Sequence, residues 1–501
     1  MKHLSKSQYT RGIQCAKSLW LYRERKSLQD PTDAGQQAIF DAGTEVGVLA
    51  QSWIKGGVLI KADHTDPEAA LLQTAIALGS GIKVIYEAAF LHDDVLVRAD
   101  IIAEGPGGVW DLYEVKSSTG VEDVYLLDVA IQRYVLAGAG VKLGVAHLVH
   151  IDSSYVRHGA LDLTQLFKAV DVNRETEALL DTIPGQIKRM KETAARAEAP
   201  EVAIGTHCFK PYNCDFMGTC WAHVPKYSVF NLSGALKKKT TEMWNSGVQR
   251  IDQINPALTK LTDYQKVQVA VAKSCKPSID VAPIRELLNG IGWPRYFLDF
   301  EAVNRAIPQY DGLRPYQAMP FEASVHIIRE PGAPLEHELF MADGTNDPRQ
   351  DLAKFLLEVL GISGPIIAYH KSYEGGILTA LSLMSGQSLA SSSRLVNAGG
   401  RLWDLADPFK KAYWADPAFL GKWSIKNVLP VLVPSMTYKG MAIADGVAAM
   451  TAYARLMDES LSATERAQLI ADLKDYCAQD TLAMVRILEV VEAAVAQETP
   501  A

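Results

Sequence analysis

The sequence predicts two α/β domains joined by a helical connector. Strand-period patterns occur in two separated stretches, near 84–115 and near 295–340, each set among segments with apolar residues at helical intervals. The chain has 501 residues, and a single core rarely grows past roughly 250–300 residues. Between the two stretches, from about Val224 to Gly292, Lys-rich and Asn/Pro-punctuated pieces carry mostly helical periodicity. The expected boundaries are therefore 1–225, 226–290 and 291–501.

The elements follow in chain order. Tyr9–Tyr22 and Phe40–Trp53 read as helices. Val84–Phe90, Val95–Ile102 and Val109–Val115 alternate apolar and polar residues and read as three strands. His92-Asp93-Asp94 and Gly105-Pro106-Gly107-Gly108 supply the turns between them. A helix is expected over Val121–Ala137, a strand over Val145–Ile151, and one long helix over Leu163–Ala197 that stops before Pro200. In the second domain, strands fit Arg295–Glu301, Ala323–Ile328, Leu335–Phe340 and Pro365–Tyr369. Helices fit Arg349–Leu360, the segment after Tyr373, and Leu469–Val495.

Composition narrows the class. With 48% hydrophobic and 22% charged residues, collagen-like, coiled-coil and wholly disordered readings are excluded. No apolar run approaches the roughly 20 residues that span a bilayer. The first residues lead into a polar, basic stretch without the apolar segment of a secretory signal, which predicts a cytoplasmic protein. The net charge of −8 argues against a generic nucleic-acid binder. Charge is nevertheless patchy: Lys2–Lys26 holds seven Lys/Arg and one Glu, and Lys237, Lys238 and Lys239 form a second cluster. No Gly-x4-Gly-Lys-Ser/Thr loop is present, so any unwinding motor would be a partner such as a helicase.

Three constellations carry chemistry. In the first, Asp100 ends the run Val97-Arg98-Ala99-Asp100, and Tyr113-Glu114-Val115-Lys116 follows fourteen residues later. On a strand, residues i and i+2 face the same way, so Glu114 and Lys116 project together and a neighbouring strand can present Asp100 beside them. Two carboxylates suit a hard divalent cation, and a lysine can position water or offset developing charge. The pattern resembles the PD-(D/E)XK nuclease superfamily in its RecB-like exonuclease branch. That resemblance implies a restriction-endonuclease-like domain and assigns Gln132 and Tyr134, in Ile131-Gln132-Arg133-Tyr134, to the Gln…Tyr motif of the following helix. The branch often has a metal-ligating His on an early helix. Here that stretch, Gly43-Thr44-Glu45-Val46-Gly47, offers only Glu45, and Glu87 is a further acidic candidate.

The second constellation is Cys208-x5-Cys214-x5-Cys220 in a Pro/Gly/Asn-rich segment. A long cytosolic chain disfavours disulfides, and gathered thiolates suit a soft metal site. A fourth ligand is needed, and Cys15 is the natural candidate, with His207 and His223 as alternatives. One cysteine before the nuclease core and three after it resembles the layout of RecB-like nucleases with an iron–sulfur cluster. A 4Fe-4S cluster is expected on that resemblance, with zinc the alternative. Cys275 and Cys477 fit no pattern and read as packing residues.

In the third constellation, Asp299 and Glu301 share one strand face, and Tyr476 and Asp480 share one helix face. Glu374 falls in the first turn after the strand of Ile366-Ile367-Ala368-Tyr369. Four convergent acids are costly unless they bind cations, and two Mg2+ or Mn2+ ions roughly 3.5–4 Å apart would account for them. The order resembles the DEDD exonucleases of the ribonuclease H-like fold, in the variant ending Tyr-x3-Asp. By that resemblance Asp299, Glu301, Glu374 and Asp480 are metal ligands and Tyr476 orients the attacking water. The family has Asp where Glu374 stands. Leu402-Trp403-Asp404-Leu405 and Lys422-Trp423-Ser424-Ile425-Lys426-Asn427 resemble two further family segments.

The whole chain thus resembles a bacterial family in which a RecB-like nuclease is fused to a ribonuclease H-like exonuclease. The expected function is metal-dependent hydrolysis of DNA, single-stranded by preference, at two sites. An RNA-processing 3′-5′ exonuclease and a nucleic-acid-binding scaffold with one decayed site are the alternatives, and DNA repair and defence against foreign DNA are the contexts expected for the nuclease.

Overall fold

The computed structural model describes residues 3–384, 386–458 and 460–497, and Lys2 of the basic stretch lies outside them. The architecture is mixed α/β and divides into two compact units. The first takes the described residues up to His223 together with Arg305–Gln317, and the second takes Val224–Asn304 and the described residues from Ala318 onward. Helices Lys237–Asn245, Asp263–Ser274 and Val281–Leu288 of the expected connector belong to this second unit, where Val229, Ile251 and Val269 form a small apolar cluster.

The first unit is built on a seven-stranded mixed sheet. Its strands are β1 (Leu4–Ser5), β2 (Val58–Leu59), β3 (Val84–His92), β4 (Val95–Glu104), β5 (Trp110–Val115), β6 (Leu143–Ile151) and β7 (Phe167–Asp171). They run in the order β2-β3-β4-β5-β6-β7, with β1 paired parallel to β4. The β3-β4-β5 meander is antiparallel, and β5 to β6 is a parallel pair connected by helix Asp123–Gly138. Ile85, Val97, Leu112, Ile131 and Ile187 sit in the larger of two apolar clusters around the sheet. Val46, Ala50, Ile101, Val149 and Ala306 sit in the other. A side chain at Gly12 would meet Met190 Sδ at 2.8 Å, which is why the first helix can lie close to helix Ile183–Ala194.

Two expectations are corrected. The helical run Tyr9–Tyr22 is two helices, Lys6–Gln14 and Ala16–Glu24, because Cys15 takes an extended backbone (φ −162°, ψ 120°) and caps both. The long helix expected over Leu163–Ala197 is interrupted by β7, which pairs antiparallel with the β6 edge from Phe167 to Asp171. The open edge of β6 offers the segment a ladder of backbone hydrogen bonds, and sheet pairing overrides a helical pattern. Helices Asn173–Leu180 and Ile183–Ala194 then follow, the second with Pro184 in its first turn.

In the second unit β8 (Ser278–Ile279) precedes a five-stranded sheet made of β9 (Arg295–Val303), β10 (Met319–Ile328), β11 (Glu336–Met341), β12 (Ile366–Ala368) and β13 (Leu402–Asp404). The order is β11-β10-β9-β12-β13, antiparallel on the β10/β11 side and parallel on the β12/β13 side, while β14 (Trp414–Ala415) pairs with β8. β9 is central, and its alternation divides it: Leu298, Phe300 and Ala302 enter an apolar cluster with Leu352, Leu356 and Leu378. Asp299 and Glu301 point to the other face. The 35-residue helix Ala463–Gln497 buries Tyr476, Cys477, Asp480, Thr481, Met484, Leu488 and Val491, spaced as one helical stripe. Among the described residues no helix is long and apolar enough to cross a membrane.

Candidate functional sites

The first unit joins Asp100, Glu114, Lys116 and Gln132. The β4/β5 ladder pairs Ile101 with Tyr113, and one step further along this register sets Asp100 opposite Glu114. The Val115 N–H donates to Asp100 Oδ2 at 2.7 Å. Glu114 is buried, yet both its oxygens are taken: Oε1 accepts from Lys6 Nζ at 2.6 Å and lies 2.8 Å from Lys116 Nζ, and Oε2 accepts from Gln132 Nε2 at 2.6 Å. Lys116 is held from its other side by Asp128 Oδ2 at 2.6 Å, and the Thr10 hydroxyl donates to Asp128 Oδ1 at 3.0 Å. Burial alone would raise the Glu114 carboxyl, but Lys116 and Lys6 outweigh it and hold the group well below the usual carboxylate range. Burial, then Glu114, push Asp100 upward. Two of these partners, Lys6 and Asp128, were not singled out in the sequence. Asp128 was within reach of the helical argument, four residues before Gln132 on one face.

The remaining candidates of this unit are placed as follows. Glu87 leaves the β3/β4 ladder with a left-handed backbone (φ 58°), a conformation that costs roughly 1–3 kcal/mol in a non-glycine residue and gathers at functional sites. Its carboxylate lies 3.5 Å from Arg98 and is raised chiefly by burial, with Lys6 and Glu114 in its field. Glu45 lies in a bidentate ion pair with Arg305, at 2.7 and 2.9 Å. Tyr134 is not brought to the carboxylates: its hydroxyl donates to Asp93 at 3.4 Å and its ring packs on His92, because it follows Gln132 by two residues and so projects from another side of the helix.

Cys15, Cys208, Cys214 and Cys220 line a single cavity of about 20 Å3, together with His207. The thiols of Cys15 and Cys220 are raised by burial first and by the neighbouring sulfurs as well. His223 is not among the lining residues. One helix ties this cavity to the carboxylate group. Residues 6, 10 and 14 form a stripe along Lys6–Gln14: Lys6 meets Glu114, Thr10 meets Asp128, and Gln14 Nε2 donates to the carbonyls of His207 and Tyr212 at 2.8 Å each. Tyr212, within the cysteine segment, is pushed up to about 12 by burial first and then by Tyr125.

In the second unit, Asp299, Glu301 and Asp480 bring one carboxylate oxygen each within 4.8 Å of one another, the one such group of potential ligands among the described residues. Burial pushes all three carboxyls up, and for Asp299 and Glu301 the mutual repulsion with Asp480 adds to it. Glu374 stands outside this trio, buried in the first turn of helix Ser372–Ser382 with its Oε2 unpartnered among the described residues. The turn that delivers it is left-handed at His370 (φ 78°), whose N–H donates to Asp404 Oδ1 at 2.9 Å. The Tyr438 hydroxyl donates to Asp480 Oδ1, and the Tyr476 ring packs beside that of Tyr438, their centres 6.1 Å apart. Lys426, in the segment singled out by sequence, sets its ammonium 5.5 Å from the Tyr438 ring centre and 5.4 Å from that of Tyr476. Cys477, read as a packing residue, is buried with its sulfur 4.0 Å from Asp299 Oδ2.

One acid escaped the sequence reading. Glu322 on β10 is the direct cross-strand partner of Glu301, fully buried, with neither carboxylate oxygen hydrogen-bonded among the described residues. Its carboxyl is pushed up to about 9 by burial, with Glu301 adding to the shift. Only the strand register reveals it.

Residues 296–424 match the family model described as Domain of unknown function (DUF2779). That span includes Asp299, Glu301 and Glu374 and ends before Tyr476 and Asp480. The chain is also 24% identical over 214 residues to the Uncharacterized protein UU173 of Ureaplasma parvum serovar 3 (strain ATCC 700970), a match that covers 38% of this chain and 30% of that protein.

Proposed function

We propose that this chain is a metal-dependent nuclease acting on DNA, single-stranded by preference, with a PD-(D/E)XK-type site in the first unit and a ribonuclease H-like exonuclease site in the second. The observation that carries the reading is the trio Asp299, Glu301 and Asp480, buried or half-buried and within 4.8 Å of one another. Mutually repelling carboxylates at that spacing fit a divalent cation better than any other role. Asp299, Glu301 and Asp480, with Glu374 behind them, would hold Mg2+ or Mn2+, and Asp100 and Glu114 would do so in the first unit. Such ions, when bound, acidify water and polarise a phosphate. Tyr476, one helical turn before Asp480 on the same face, is suited to orient the attacking water, and Lys426 to bind a phosphate oxygen. In the first unit Lys116, fixed between Glu114 and Asp128, is suited to steady the developing charge, and Gln132 keeps Glu114 aimed.

The four cysteines would hold a soft metal centre. Cys15, Cys208, Cys214 and Cys220 line one cavity, and we take that centre as an iron–sulfur cluster with zinc the alternative, its role structural in anchoring helix Lys6–Gln14.

The test is digestion of end-labelled single-stranded DNA and RNA, side by side, with Mg2+ or Mn2+. Lys116→Ala and Asp299→Ala are each expected to remove one of two separable activities by at least roughly 100-fold. A variant that matches wild type on every substrate and metal strikes its site from the mechanism. Faster RNA cleavage would make the chain an RNA-processing exonuclease. Loss of one activity only, with Glu374 outside the trio, would favour the scaffold reading for the other unit.

A further inference from the structure

The first unit carries a cation of its own at the carboxylate pair. Lys6 opens its helix behind the Ser5 cap, and its ammonium reaches Glu114 Oε1 at 2.6 Å across 108 residues of sequence. Lys116 shares that oxygen but is pinned by a second carboxylate, Asp128. Lys6 is not: among the described residues Glu114 is the one carboxylate within ion-pair distance of it, and 24% of its side chain stays accessible. Its backbone is held by the Thr10 and Gln14 contacts further along the helix. A divalent ion at about 2.0–2.6 Å from Glu114 Oε1 would be repelled by two ammonium groups at hydrogen-bond distance of the same oxygen.

We propose that Lys6 is a displaceable internal cation: it occupies Glu114 when no divalent ion is bound, yields that oxygen when one arrives, and then turns its ammonium toward the substrate phosphate. The proposal rests on the reading of Asp100 and Glu114 as metal ligands. It makes Lys6 a positioning residue whose first effect is on metal affinity.

Calorimetric titration with Mn2+ alone separates the two ideas. The full chain would carry Asp299→Asn and Asp480→Asn to silence the other acid group, with Lys6→Met, Lys6→Gln, Lys6→Arg and Glu114→Gln added one at a time. Both neutral Lys6 variants are expected to bind Mn2+ at least roughly tenfold more tightly than the parent, the scale of one charge-assisted contact. Lys6→Arg is expected to stay near the parent, and Glu114→Gln to lose binding. The metal-free melting temperature should fall in the neutral variants and recover with Mn2+. If Glu114→Gln loses Mn2+ while neither neutral Lys6 variant binds it more tightly, the Lys6 proposal is overturned and the metal reading stands. If Glu114→Gln binds Mn2+ as the parent does, the metal reading fails and the Lys6 proposal falls with it.

Discussion

The two acid groups answer one electrostatic problem in opposite ways. In the first unit, Glu114 and Asp128 face two lysines at 2.6–2.8 Å. In the second, Asp299, Glu301 and Asp480 crowd together, with Glu322 and Glu374 buried beside them, and Lys426 sits against the Tyr438 and Tyr476 rings. The Glu114 carboxyl is accordingly lowered, while those of Glu301 and Glu322 are raised. In the first group the chain itself neutralises Glu114 and Asp128, while Asp100 beside them stays raised. The other leaves its neutralisation to protons or to cations from solution. The difference teaches that similar residue types at similar spacing demand different things of the fold: the first site helps hold its unit together, and the second strains its unit until something positive binds.

Paired substitutions break or sharpen that contrast. Glu114→Gln leaves Lys6 and Lys116 facing a neutral amide, and removing one partner of a buried charge pair costs roughly 3–5 kcal/mol. Glu322→Gln is expected to act with the opposite sign. A folded-state carboxyl raised to about 9 keeps its proton while the unfolded chain releases it, near pH 4.3. Wild-type stability is therefore full below that value and falls as pH rises toward 9. The glutamine variant escapes this loss and should be more stable at neutral pH by roughly 2–4 kcal/mol. Denaturant melts of the metal-free chain at pH 5 and pH 8 measure both, and a stabilising Glu114→Gln or a destabilising Glu322→Gln would erase the contrast.

The second expectation is smaller and concerns the wild type alone. Asp299, Glu301, Glu374 and Asp480 are all raised, so the metal-free melting temperature should decline as pH climbs from about 5 to about 8. Mn2+ favours the ionised carboxylates and releases their protons, so it should flatten the decline, most visibly near pH 8. Differential scanning calorimetry with and without Mn2+ reads this directly. A melting temperature that rises over that interval without metal would mean the trio is already neutralised by the protein.

Much of this was legible in the sequence, and what was not has a common cause. Two-residue alternation placed Glu114 with Lys116 and Asp299 with Glu301, and helical spacing placed Tyr476 with Asp480. These are local periodicities. Lys6 belongs to Glu114 only because β1 and the first helix lie against the β4/β5 region, a relation with no local signature. Glu322 belongs to Glu301 only through the β9/β10 register. The break at Cys15 and the strand at Phe167–Asp171 likewise follow from long-range demands, a thiol lining a shared cavity and an open sheet edge.

The smallest effect belongs to Glu45, an acidic candidate of the first unit. Its carboxylate is engaged bidentately by Arg305, and both side chains keep 30–45% exposure. Ion pairs at that exposure are worth less than about 1 kcal/mol. Glu45→Gln is therefore expected to lower stability slightly, more at low salt than at high, and to leave first-unit Mn2+ affinity unchanged. Were Glu45 a ligand, the same substitution would weaken Mn2+ binding while barely moving the metal-free melting temperature. The two readings thus differ in which measurement responds, and calorimetric titration beside a thermal melt of one variant decides whether the first site draws its carboxylates from the β4/β5 pair alone or also from helix Ala34–Trp53.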